Sequence, residues 1–174
     1  MNLRTLIAAA FGLLALSANA GASDAVPASV SAQIDRDANV FAQATTRSFG
    51  KAVAYCATQH QPPGMALDER LKTLTSAVAT GSREALLQIV QTDPALLQDV
   101  PVPGPAEFEN FDKQGDQLLQ KTQSSPAQVC AKLAAIMDQG NSAFFKDLQL
   151  KDNRAYQAKR AQFCARQPRP DGCD

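Results

Sequence analysis

Four cysteines and one histidine are the residues of this 174-residue chain readiest for chemistry. Cys56, Cys130, Cys164 and Cys173 are even in number, which in an exported chain reads as two disulfides. Of the three possible pairings, Cys56–Cys130 with Cys164–Cys173 is favoured. The second pair brackets Ala-Arg-Gln-Pro-Arg-Pro-Asp-Gly, a turn-rich stretch able to bend back on itself. The loop-entropy model makes the long bridge worth about 4.5 kcal/mol and the short one about 2.7 kcal/mol. Zinc fits poorly, because no CxxC pair is present and a single histidine is available. The CxxCH of a c-type haem and the reactive CxxC of a thiol oxidoreductase are also absent. No metal and no cofactor is expected.

His60 lies just past a helical pattern and before Pro62-Pro63-Gly64, so it is expected at the surface. An imidazole titrates near working pH, which makes His60 the candidate general base of a small hydrolase. Its serine or carboxylate partner would have to come from elsewhere in the chain, since no G-x-S-x-G elbow presents one. The zinc-protease, phosphate-loop and dinucleotide motifs are missing too. The motifs lean against catalysis without deciding it.

Glu109, Asp112 and Asp116 recur at i, i+3 and i+7 and share one helix face. They are candidates for docking a basic partner, and paired carboxylates also serve as acid and base in glycoside cleavage. The simpler account is a solvated face, with Lys113 four residues after Glu109 and able to pair with it. Phe108, Phe111, Phe144 and Phe145 are the lining to suspect if an apolar ligand enters between helices. Phe144 and Phe145 are adjacent, so both cannot point fully inward on one straight helix. The last third of the chain leans basic, with Lys146, Lys151, Arg154, Lys159 and Arg160.

These residues sit on a helical framework. The first twenty residues combine Arg4, an apolar run through Leu16 and Ala18-Asn19-Ala20, the three parts of a signal peptide. The run is too short to span a bilayer, which takes about 20 residues. No cysteine follows the cleavage region, so nothing there suits a lipid anchor, and no later stretch suits a transmembrane segment. Residues 21–28 read as a flexible leader, and 29–174 as one helical domain. Ile34, Ala38, Phe41, Thr45, Phe49, Ala52 and Cys56 mark one stripe of a long first helix. A second helix is expected over 67–80, stopped by Gly81, and Ser82 would cap a third carrying Leu86, Ile89 and Val90. Asp93-Pro94 opens one more turn. A proline-rich connector at 100–105 follows, then a helix to about Gln123. Ser125-Pro126-Ala127-Gln128 offers a capping box, and Val129, Leu133, Ile136, Phe144 and Leu148 mark the buried side beyond it. Gly140-Asn141-Ser142 ends or kinks that helix, and Asp152 would cap the last one, with Tyr156, Phe163 and Cys164. Period-two alternation is missing, so the fold class is all-α: one compact irregular bundle of five or six helices, stapled by two disulfides.

Equal numbers of acidic and basic residues, 17 each, argue against nonspecific polyanion binding, so no nucleic-acid partner is expected. The absence of Trp and 6% aromatic content argue against stacking platforms. The main functional expectation is a non-catalytic protein-binding module: an inhibitor, immunity factor or adaptor docking another envelope or secreted protein. The alternatives are a carrier or chaperone for an apolar ligand, and the His60 hydrolase. The expected location is the periplasm, with extracellular release as the alternative.

Overall fold

A computed structural model describes residues 26–165 and residue 173. Residues 1–20, expected as a signal peptide, and residues 21–25 of the expected leader lie outside the described residues. Helix α1 spans Ala28–Gln59, α2 Leu67–Thr92, α3 Pro105–Ser124, α4 Pro126–Gln139 and α5 Ser142–Cys164. A 3₁₀ helix, Pro94–Asp99, follows α2. The fold is all-α, with no strand among the described residues. No described helix is long and apolar enough to cross a membrane. Both expected disulfides are present, Cys56–Cys130 and Cys164–Cys173.

α1 forms because its apolar residues keep the helical period for about six turns, from Ile34 to Cys56. Ile34, Ala38, Ala52 and Cys56 of the expected stripe are buried, and Phe41 and Phe49 are half-buried. The chain turns at 60–66, where Gly64 takes φ +96°. The buried Arg70 holds this turn. Its guanidinium donates to the carbonyls of Met65 (2.8 Å) and Pro63 (3.3 Å) and pairs with Asp138 of α4. A Cβ at Gly64 would stand 2.9 Å from Arg70 Nη2, so the turn needs glycine for space as well as for φ.

α2 then returns antiparallel to α1, which gives the pair two apolar clusters. At one end Ala52, Val53 and Cys56 meet Leu67 and Leu74, closed over by Val129, Cys130, Leu133, Ala134 and Met137 of α4. At the other end Ile34 and Ala38 meet Leu86, Ile89 and Val90, closed by Leu97 and Val100. α3 packs along the free side of α1, and α5 along the free side of α2. The connector forms no helix over 101–104, and Val100 before it and Val102 within it pack into the second cluster.

Four details differ from the sequence expectations. Gly81 does not stop α2; the helix runs through it to Thr92. A side chain at this position would collide with the Ser142 carbonyl and with Lys146 N and Phe145 Cβ of α5, so the glycine serves close packing of α2 on α5. Gly115 plays the same part between α3 and the Arg47 carbonyl of α1. Ser125 makes no capping bond with its side chain. It ends α3 and starts α4 at once, and its N–H is taken by the Lys121 and Thr122 carbonyls. Asp152 caps nothing, since α5 is continuous from Ser142 and is capped by Asn141, whose Oδ1 accepts from Phe144 N at 2.9 Å. Ile136, Phe144 and Leu148 are not buried; they are 52%, 55% and 42% exposed. The buried face of α4 is centred on Cys130 and Met137, and Ile136 lies one residue, about 100°, off it. By contrast Asp93 caps as expected, Oδ1 accepting from Ala95 N at 2.9 Å.

Two outcomes are expected. Gly81→Val should destabilise the fold by about 2 kcal/mol or more through forced separation of α2 and α5. Arg70→Met should cost about 2 kcal/mol by leaving the turn carbonyls without a donor. Urea midpoints at unchanged m-value check both.

Candidate functional site

The catalytic candidate comes first. His60 caps the end of α1 through its backbone, N–H to the Cys56 carbonyl at 2.9 Å, while its side chain is exposed. No hydroxyl or carboxylate is hydrogen-bonded to its ring among the described residues. No group of three or more metal-ligating side chains occurs among the described residues.

The acidic face of α3 is placed against α1 rather than offered whole to a partner. Asp112 pairs with Arg47 at 2.6 Å, and Asp116 pairs with Lys51. Glu109 stays exposed, and neither it nor Lys113 forms an ion pair among the described residues. Arg47 also covers the Phe108 ring, its Cζ 4.7 Å from the centroid, and Phe108 meets Phe111 edge-on at 6.3 Å. These two phenylalanines therefore belong to the α1–α3 seam.

Phe144 and Phe145 form a separate pair, ring centroids 5.2 Å apart and planes 79° to each other. The pair divides, as adjacent helical residues must. Phe145 is half-buried against the first cluster, and Phe144 stands out over a groove of about 370 Å³. Thr45 and Phe49 of α1, Leu74 of α2, and Ile136, Gln139 and Gly140 complete its lining, and none of these residues is charged. The groove exists because α1's apolar stripe is closed by α4 at one end and by the 3₁₀ helix at the other, leaving Thr45 and Phe49 between the two covers. Gly140 lets α4 end tightly there; a Cβ would lie 3.2 Å from the Phe145 ring and strike Leu74.

A second hollow of about 310 Å³ runs between the end of α3 and α4. Leu118, Leu133 and Ile136 line one part, and Lys121, Lys132, Ser124, Ser125 and Gln128 the other. Ile136 borders both hollows. A third, of about 210 Å³, lies between α2 and α5 beside Asn153, a buried side chain whose Oδ1 has no donor among the described residues.

The structure thus brings Phe144 and Phe145 together, but not with Phe108 or Phe111. Sequence reasoning missed Thr45 and Ile136 as groove residues, having assigned both to buried stripes. It also missed Lys121 and Lys132, which carry no signal apart from their neighbours in space. No protein-family model, curated protein or solved structure matches this chain.

Proposed function

We propose that this chain is an exported, non-catalytic binding protein that carries an apolar ligand in the groove between α1, α2, α4 and α5. One observation carries the reading. Two large apolar side chains, Phe144 and Ile136, stand 55% and 52% exposed at the rim of a groove with an uncharged lining. Apolar surface left in water is unfavourable, and a groove of this size lies within the range of small-molecule sites. The pairing of Asp112 and Asp116 with Arg47 and Lys51 gives less support to docking of a basic partner through α3.

Export is supported by the leader pattern of residues 1–20 and by two disulfides, which persist in oxidising compartments. We place the protein in the periplasm.

Nile red, a neutral apolar dye, is expected to bind the oxidised native protein with enhanced fluorescence. Ile136→Ser with Phe144→Ser should weaken that binding about tenfold, equivalent to 1.4 kcal/mol. Both positions are exposed, so the melting temperature should hardly move. Absence of dye binding, or binding indifferent to the double substitution, sinks the proposal.

A further inference from the structure

We infer that the ligand is a single-chain anionic amphiphile, its head held at Lys121 and Lys132 and its chain laid over Ile136 into the groove beside Phe49, Phe144 and Phe145. This rests on the apolar-ligand reading and adds the chemistry of the other end.

The two hollows meet at Ile136, which explains why a large apolar side chain of α4 is left 52% exposed between them. Together they form a strip with a direction. At one end the lining is aromatic and uncharged. At the other it holds two lysines, two serines and a glutamine, and no acidic residue lines either hollow. On other faces, among the described residues, Arg47, Lys51, Arg70, Lys72, Arg83 and Arg160 each face a carboxylate, while Lys113, like the two lysines of this hollow, does not. Lys121 and Lys132 face none among the described residues. The end of α3 and the start of α4 meet at Ser125, so their opposed dipoles offset each other and the lysines set the sign of the field. An anion is therefore favoured at that end and a cation disfavoured.

Size narrows the occupant further. From Gln128 to Gly140 the strip follows α4 for about 18 Å, at 1.5 Å per residue. That suits an extended chain of long fatty-acid length. A peptide helix is about 10 Å across with its side chains, too broad for hollows of about 310 and 370 Å³ set side by side. The site is built for one chain taken out of a membrane or micelle, not for the membrane surface.

The test compares palmitate with hexadecyltrimethylammonium, which has a chain of the same length and the opposite head charge. Each is titrated below its aggregation concentration into the oxidised full chain loaded with Nile red. Palmitate should displace the dye at a concentration at least about tenfold lower. Lys121→Glu with Lys132→Glu should invert that preference while Nile red itself still binds. The milder pair Lys121→Gln with Lys132→Gln should abolish it. Lys159→Glu, about 22 Å along α5 from Phe144 at 1.5 Å per residue, should leave it intact.

Equal displacement by the two amphiphiles in the native protein overturns the anionic head but leaves the apolar groove standing. So does a palmitate preference that survives both lysine pairs. Binding to anionic phospholipid vesicles without binding of monomeric palmitate overturns the proposal in favour of a membrane surface. Displacement by an acidic amphipathic peptide and not by palmitate overturns it in favour of a protein partner. A native protein that binds no Nile red removes both this inference and the reading beneath it.

Discussion

The Cys56–Cys130 bond decides where α4 lies, and both hollows that meet at Ile136 depend on that placement. α4 is the shortest α-helix, and it packs less extensively on α1 and α2 than α2 does on α1. Its sulfur bridge joins it to the last turn of α1, with Cys56 fully buried and Cys130 nearly so. The bond spans 74 residues, so most of its effect falls on the unfolded chain, whose freedom it removes. Arg70 adds a polar tie at the far end of the same helix through Asp138. Held at both ends, α4 can leave its outer apolar side uncovered without drifting to bury it.

The remaining helices are held by a different device, close backbone approach. α2 meets α5 at Gly81 and α3 meets α1 at Gly115, each through a carbonyl oxygen of the neighbouring helix. Ion pairs accompany these contacts. The α1–α3 seam carries Arg47–Asp112 and Lys51–Asp116, and α1 and α2 share Arg83–Asp35. Exposed pairs of this kind are worth little individually.

Much of the framework was legible because burial and period agreed. The α1 stripe from Ile34 to Cys56 is regular, and its bounding prolines follow directly. The cysteine pairing was legible from the turn residues between Cys164 and Cys173. What escaped was set by partners distant in sequence. Gly81 has the same local appearance whether it ends a helix or receives another, and only α5 decides. Ser125 has a capping sequence, but α3 arrives too closely for the side chain to act. Ile136 belongs to an apolar run whose buried centre is fixed by Cys130, so its exposure is invisible until the bridge is placed. Lys121 and Lys132 belong to different helices, and no spacing rule connects them.

The order of the bridges along the chain has a consequence for how they are made. Each cysteine is joined to its neighbour in sequence, the first to the second and the third to the fourth. A polypeptide entering an oxidising compartment from its N-terminus presents Cys56 and Cys130 before the other two thiols arrive. An oxidase that simply joins thiols as they appear therefore makes the native pairs. A chain oxidised in that order needs a donor of disulfides but no reshuffling of them.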